Sequence, residues 1–406
     1  MTDTVLIVGG GPAGMMAAAV AAKRGKRAVI IEKNRDLGRK LLITGKGRCN
    51  ITNDCDISEF IENVPVNGNF LYSAFYSFTN RDLVNLLNKA GLETKVERGG
   101  RVFPVSDRAA DVLLCLKRIL KHYGVKTVCA AVTDIRTDVE GKRVILSGNR
   151  AVKCDSVIIA TGGVSYPKTG STGDGYRFAK KMGHTIVTPK GSLVPMELDS
   201  KYCAELMGLS LRNAALTVFE DGREIYSDFG EMLFTHYGAS GPIILSASSH
   251  MRDFDRHKYK IKIDLKSALD EQTLDKRILR DFEANKNKAY INSLDALLPK
   301  KLIPVIAELS GIDAHKQVNS ISKAERHSLL SCLKSLEFDV RRLRSVTDAI
   351  VTSGGVSVKE INPKTMESKI ENGIFFAGEV IDVDAYTGGF NLQIAFSTGY
   401  LAGMNV

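Results

Sequence analysis

The stretch Val5-Leu6-Ile7-Val8-Gly9-Gly10-Gly11-Pro12-Ala13-Gly14 decides the fold. Val5–Val8 is apolar and largely β-branched, which predicts a buried strand. Gly9, Gly11 and Gly14 fill the G-x-G-x-x-G positions directly after it. Gly9 permits a tight turn, Gly11 leaves room for a pyrophosphate, and Gly14 lets the following helix pack close to the strand. Pro12–Arg24 is Ala-rich and apolar on most sides, so it predicts a buried helix whose N-terminus offers free N–H groups and a partial positive charge. Arg27–Ile31 is the next strand, and Glu32 lies 18 residues past Gly14, where an acid hydrogen-bonds ribose hydroxyls. A glycine turn with a surface Glu is the plain structural alternative. It leaves unexplained why strand, loop, helix, second strand and acid arrive in this order.

Outward from this βαβ unit, Arg81–Ala90 and Ala109–Tyr123 carry apolar residues at helical spacing. Between Lys126 and Cys154 the period changes to two: Thr127–Ile135, Arg143–Leu146 and Ala151–Lys153 predict a small antiparallel meander. Asp155–Ala160 is an apolar strand ending in Thr161-Gly162-Gly163. Ser192–Leu198, then Ala215–Phe219 and Glu224–Ser227 around Asp221-Gly222, then Tyr259–Leu265, predict a small β domain. Ser267–Leu336 turns helical and Lys-rich. Gly373–Ala377 is again a strand, feeding Gly378-Glu379, and Gln393–Ala402 is a last helix. The expected architecture is α/β: a discontinuous Rossmann-type FAD-binding domain over 1–190 plus 340–406, with a β-barrel-like insert at 191–265 and a helical insert at 266–339.

The chain has 406 residues, 44% hydrophobic and 25% charged, an ordinary globular composition that argues for two or three domains and against disorder. No apolar run approaches the ~20 residues of a membrane span, and no basic n-region precedes Val5, so a cytoplasmic protein is expected. The seven cysteines are widely spaced and include no CxxC pair, which predicts free thiols and no metal site. Lys and Arg exceed Asp and Glu by 10, with pI about 9.1, which favours anionic partners. The clusters Lys23-Arg24-Gly25-Lys26-Arg27 and Arg341-Arg342-Leu343-Arg344 are candidate RNA contacts.

The fingerprint alone does not separate FAD from NAD. The Thr161-Gly162 and Gly378-Glu379 strand ends both suit backbone contacts to a flavin cofactor, and Glu379 suits the ribityl hydroxyls. No second strand–GxGxxG–helix unit follows, because Gly170–Gly175 does not follow a strand in the right way. FAD is therefore the expected resident cofactor and NAD(P)H a transient donor. Gly38–Asn50 places four cations and three glycines within 13 residues; glycines let backbone approach a ligand and cations neutralise phosphate, so the run is expected to be an FAD clamp beside the isoalloxazine, with a basic surface loop as the plain alternative.

Four stretches then carry a resemblance: TGKGRCN at Thr44–Asn50, GRVFPV at Gly100–Val105, EMLFTHYGASGP at Glu231–Pro242 and GEVIDVDAYTGGFNLQ at Gly378–Gln393. Together they resemble the BaiN/YhiN-type family of NAD(P)/FAD-dependent oxidoreductases. The resemblance implies a flavin Rossmann domain with a barrel-like and a helical insertion. It implies flavin contacts at Gly9, Gly11, Gly14, Glu32, Lys33, Lys40, Thr44, Gly45, Asn50, Gly162, Gly378, Glu379, Gly389, Asn391 and Leu392. Pro12, Ala13, Arg39, Gly47, Arg48, Cys49, Val132, Thr161 and Gly388 complete the candidate cofactor set. Family members are associated with small-molecule oxidoreduction and with reduction of uridine in ribosomal RNA.

Three side chains are candidates for proton transfer. His236 sits in a Gly-flanked loop and is a candidate general acid or base. Cys49 stands beside the expected flavin as a possible proton donor; a redox pair with Cys55 is disfavoured because five residues separate them rather than four. Tyr386 adjoins Thr387-Gly388-Gly389, where its phenol either lines a substrate pocket or packs. Arg101, before Phe103-Pro104, is a further candidate for an anionic group. The expected function is FAD-dependent hydride transfer from NAD(P)H to an unsaturated, carbonyl or amine substrate. Its alternatives are a reductase of uridine in ribosomal RNA and a non-catalytic flavin-binding sensor.

Overall fold

The computed structural model describes residues 3–138 and 141–406. The chain divides into two compact units, residues 1–192 with 346–406, and residues 193–345.

The first unit is built on five parallel strands: β1 (Thr4–Val8), β2 (Arg27–Glu32), β3 (Lys126–Cys129), β4 (Ser156–Ile159) and β5 (Ile374–Phe376). Their order across the sheet is β3-β2-β1-β4-β5. Strand order therefore reverses between β1 and β4, and in such sheets ligands bind in the crevice outside the carboxyl ends at that reversal. Helices α1 (Pro12–Lys23) and α2 (Phe390–Asn405) pack together against the sheet. Their contact is close because Gly399 and Gly403 face α1: a Cβ on either would lie 2.3 Å from the Ala13 carbonyl oxygen or 2.5 Å from that of Ala17. Both helices are apolar nearly all round, as helices covered on most sides must be.

Two expectations need correction here. Thr127–Ile135 is not one strand. Lys126–Cys129 extends the parallel sheet, the Ala130 N–H still donates to the Glu32 carbonyl, and the chain then leaves to form an antiparallel meander of Val132–Asp138, Gly141–Leu146 and Ala151–Cys154. Alternation continues across the break, so period alone conceals it. Ser192–Leu198 is likewise divided. Ile186–Ser192 pairs with Val351–Val356 in the first unit, and Met196–Leu198 belongs to the second. Leu193, between them, has φ +57° and turns the chain.

The second unit holds a closed six-stranded barrel of Met196–Leu198, Ser210–Glu220, Arg223–Thr235, Gly238–Ser240, Tyr259–Asp264 and Leu336–Leu343. Inward residues such as Leu216, Val218, Ile261 and Ile263 are fully buried. The hairpin strands run longer than the sequence alternation predicts, because register shifts after Leu211 and Val218 interrupt the period while the pairing continues. The sixth strand lies beyond the helical stretch and pairs with Tyr259–Asp264, so the helices are an excursion between two neighbouring barrel strands. They share one core with the barrel, in which Leu274, Ile278, Leu302 and Leu329 join Leu216 and Phe338. Among the described residues no helix is long and apolar enough to cross a membrane.

Candidate functional site: a dinucleotide cradle at the sheet reversal

The three fingerprint glycines are required for different reasons. A Cβ on Gly9 (φ +109°) would lie 2.4 Å from the carbonyl oxygen of Ala160, at the end of β4. A Cβ on Gly14 would lie 2.0 Å from the Gly9 carbonyl oxygen. Packing demands these two. Gly11 has φ −76°, open to any residue, and a Cβ there would meet nothing within 4 Å. Neither backbone conformation nor packing calls for glycine at Gly11, whereas an approaching ligand does. Gly11 is also the N-cap of α1 and supplies no side-chain cap, and Pro12 opens the helix without an N–H. The free N–H groups of the first turn and the positive end of the helix dipole therefore face the crevice, with Ala13 among them.

Glu32, the last residue of β2, stands beside this crevice. Its Oε2 accepts from the Gly10 N–H at 2.7 Å, and its Oε1 accepts from the Asn34 N–H and Nδ2 at 2.9 and 2.7 Å. Each carboxylate oxygen has two acceptor sites, so Oε2 keeps one for a further donor. Lys33 instead turns to Thr172 Oγ1 and Asp174 Oδ2, at 2.5 and 2.7 Å, and Arg39 donates to Asn34 Oδ1 at 2.8 Å. Lys33 thereby ties the end of β2 to the Thr172–Asp174 turn, and Arg39 braces the Asn34 side chain. Val132 opens the meander two residues beyond the Ala130–Glu32 bond, on the same carboxyl edge of the sheet.

The Gly38–Asn50 run crosses that edge in an unusual backbone conformation. Gly45, Lys46, Gly47 and Cys49 all have positive φ. Lys40 reaches a half-buried acid: its Nζ lies 2.7 and 2.9 Å from the two oxygens of Glu379 and 2.6 Å from Ser165 Oγ. Glu379 Oε1 further accepts from Ser165 Oγ and from the Thr352 N–H, each at 2.9 Å. Burial opposes the charge on Glu379, but the Lys40 ammonium and these donors outweigh it and hold the carboxyl below its ordinary range. Arg48 forks between Asp107 and Glu97 and lies 4.1 Å over the Phe103 ring. The guanidinium is thus held by two carboxylates of its own chain. Thr44 Oγ1 donates to the Leu41 carbonyl.

Cys49 is fully buried, and burial pushes its thiol up to about 12. All seven cysteines are free. Asn50 differs from its neighbours: its Oδ1 is buried and has no hydrogen-bond partner. A buried amide oxygen without a donor is costly, and a bound ligand is one remedy.

The far end of the chain returns to this loop. A Cβ on Gly378 (φ +75°) would press on Ala13 at 2.9 Å, and the Gly378 N–H donates to Thr398 Oγ1. Gly388 and Gly389 have φ +131° and +103°, and a Cβ on Gly389 would lie 2.3 Å from the Thr52 carbonyl oxygen. Asn53 Nδ2 donates to the Gly388 carbonyl at 3.1 Å, and Thr52 Oγ1 bonds Gln393 Oε1 at 2.7 Å. Gly389 caps α2 without a side chain, so the first turn, containing Leu392, presents a second uncapped N-terminus beside the loop. Asn391 spends its side chain on the Ala385 N–H and on the Ala385 and Tyr386 carbonyls, holding that loop in place. Tyr386 is half-buried, and its N–H donates to the Asn63 carbonyl.

The crevice thus gathers Gly9, Gly11, Gly14 and Glu32 with Thr161 and Gly162 after β4, the Lys40–Asn50 run, and Gly378–Leu392. His236 belongs to the second unit, where it is exposed at the hairpin tip between Arg223–Thr235 and Gly238–Ser240 with its ring edge-on to Tyr237 at 4.8 Å. Arg101 donates to the Arg98 carbonyl. Sequence reasoning passed over Ser165, Thr352, Thr52 and Asn53. Each is a small polar residue, Ser165 in a loop and Thr52, Asn53 and Thr352 in strands, and nothing in its neighbours shows that it will be buried. An open Gly11 position, two uncapped helix N-termini and the orphaned Asn50 oxygen fit a phosphate-bearing cofactor with a polar ring system.

Residues 3–405 match the family described as HI0933-like protein Rossmann domain. A ribosomal RNA dihydrouridine synthase of Haemophilus influenzae is 31% identical, the match covering 99% of this chain and 98% of that protein. A 3-dehydro-bile acid delta(4,6)-reductase of Clostridium scindens is 32% identical over 98% of this chain and 97% of that protein. Among solved structures, a 3-ketosteroid delta1-dehydrogenase from Sterolibacterium denitrificans superposes with a TM-score of 0.53 at 13% identity, covering 99% of each chain. That last likeness speaks for the fold alone.

Proposed function

The chain belongs to the HI0933-like Rossmann family, and from that membership we propose that it is an FAD-dependent reductase of a carbon–carbon double bond conjugated to a carbonyl. The observation that carries the reading is the cradle itself: a glycine at Gly11 that only a ligand requires, at the uncapped N-terminus of α1, with the unpartnered Asn50 oxygen in the loop between the two halves of the site. FAD, when bound there, supplies a two-electron carrier that takes and gives hydride. The α1 N-terminus and Gly11 would hold the pyrophosphate, Glu32 the adenosine ribose, Glu379 the ribityl hydroxyls, and Asn50 with the α2 N-terminus the polar edge of the ring.

Two relatives of comparable identity are named for different substrates, yet their chemistry is shared. A Δ4-3-ketone and a uracil ring each carry a double bond conjugated to a carbonyl. Reduction adds hydride at the carbon remote from the carbonyl and a proton at the adjacent one. The protein must therefore polarise the carbonyl, exclude water and deliver one proton. We assign proton delivery to Tyr386, the half-buried phenol beside Gly388-Gly389, because Cys49 holds its proton to about pH 12 and is fully buried. NAD(P)H is the proposed source of hydride. The names of the relatives favour uridine in ribosomal RNA as one substrate, and the basic balance of the chain is compatible with it. Part of the expected basic footprint is internally paired, since Arg342 and Arg344 both bind Glu197, and Lys26 binds Asp3.

The test compares cells with and without the gene for dihydrouridine in ribosomal RNA and for saturated ketones, alongside anaerobic mixing of the FAD-loaded protein with NADPH and NADH. Loss of one reduced product names the substrate. Failure of every donor to bleach the flavin sinks the enzyme reading and leaves a flavin-binding sensor.

A further inference from the structure

The four cations of Gly38–Asn50 are not equivalent. Arg39 is bound to Asn34, Lys40 to Glu379 and Ser165, and Arg48 to Glu97 and Asp107. Lys46 is exposed and has no hydrogen-bond or ion-pair partner among the described residues. It also sits at φ +58° between Gly45 (φ +56°) and Gly47 (φ +85°), a left-handed conformation that a lysine pays for and a third glycine would not. Strain of this kind persists where function requires the side chain. Three residues earlier in the same loop Ile43 leaves 45% of its surface exposed. The tip adjoins the cradle, since a Cβ on Gly45 would lie 3.0 Å from the Asn50 nitrogen. Nearly all of the chain's surplus positive charge also falls outside residues 193–345, on the unit that carries this loop.

We propose that Lys46 and Ile43 form an entry contact for a nucleotide, Lys46 binding its phosphate and Ile43 packing against its sugar or base. This rests on the reductase reading above and names what its site admits. The phosphate belongs either to a polynucleotide substrate or to the dinucleotide donor, and one experiment separates the two.

FAD-loaded wild type, Lys46→Ala, Lys46→Arg and Lys46→Gly are compared in two arms. One titrates ribosomal RNA from cells lacking the gene at several salt concentrations, and the other measures the NADPH dependence of anaerobic flavin bleaching. Lys46→Ala is expected to weaken one of them at least fivefold, and in the RNA arm to reduce the slope of log K against log salt by about 0.7. Lys46→Arg is expected to retain most of the affinity. Lys46→Gly should lose affinity like Lys46→Ala while raising Tm by a degree or more, the signature of strain kept for binding. A deficit confined to the RNA arm assigns the phosphate to a polynucleotide, and one confined to the NADPH arm assigns it to the donor; either supports the proposal. Lys46→Ala indistinguishable from wild type in both arms overturns it, as does a wild type that binds neither molecule. Failure of the reductase reading is seen separately, in wild-type turnover of the conjugated double bond.

Discussion

Lys40 and Glu379, 339 residues apart in the chain, form an ion pair with Nζ 2.7 Å from Oε2 and 2.9 Å from Oε1. It ties the Gly38–Asn50 run to the end of β5. About a fifth of each side chain still meets solvent (21% and 20%).

Removing one partner leaves the other charge nearly buried. Lys40→Met or Glu379→Gln is expected to cost about 2–4 kcal/mol in urea unfolding of the cofactor-free protein, toward the lower side for a buried pair because some solvent reaches it. The folded carboxyl lies below the 4.5 of a free glutamate. Its contribution is thus complete above about pH 4.5 and is lost as pH falls through the folded value. Glu379→Gln should flatten stability against pH in that acid window. An unchanged acid limb would show that Glu379 is not the linked group.

Gly9 and Gly11 lie two residues apart yet should respond in opposite ways to alanine. Gly9→Ala should destabilise by about 1–3 kcal/mol from backbone strain alone, with a further cost from the Ala160 carbonyl at 2.4 Å. Gly11→Ala should fold with stability within about 1 kcal/mol of wild type, as reduced unfolded-chain entropy opposes a poorer N-cap. Its FAD affinity, followed by fluorescence quenching, should fall at least tenfold, about 1.4 kcal/mol. Normal FAD binding by Gly11→Ala would remove the central support for the cradle.

Cys49 should resist iodoacetamide in the native protein at pH 8, while Cys129, which is exposed, reacts. Denaturation should expose Cys49 to the reagent. Because its thiol stays protonated to about pH 12, no limb of an activity profile between pH 7 and 10 should vanish in Cys49→Ser. Peptide mapping that found Cys49 alkylated as fast as Cys129 would contradict the buried neutral thiol.

Tyr386→Phe keeps the ring and removes the proton. Turnover of a conjugated substrate is expected to drop about 100-fold or more, with the rate of flavin bleaching by the nicotinamide donor unchanged. Equal losses in both half-reactions would mean that Tyr386 shapes the site instead of supplying the proton.

Much of the cradle was legible because its signals are local. A β-branched run, three spaced glycines, a helix beginning at Pro12 and an acid after the next strand each constrain their own neighbourhood, and a glycine turn needs no distant partner to be recognised. Strand ownership was not legible in the same way. Thr127–Ile135 keeps its alternation while passing from a parallel sheet into a meander, and the barrel's closing strand lies past a helical excursion. The pairing of Arg48 was not legible either, since a basic residue in a glycine-rich loop looks alike whether or not Glu97 and Asp107 hold it.

The order of residues by itself determined the Rossmann unit, the identity of the glycines and the acid at Glu32, because backbone freedom and helix polarity are properties of a short segment. Only the tertiary structure decided which cations are spent and which stand free, that Glu379 is a largely desolvated charge, that Cys49 is shut away from solvent, and that the Asn50 oxygen lacks a donor. Those properties depend on desolvation and on groups brought together from segments more than 300 residues apart, where the strength of a charge is set by what surrounds it.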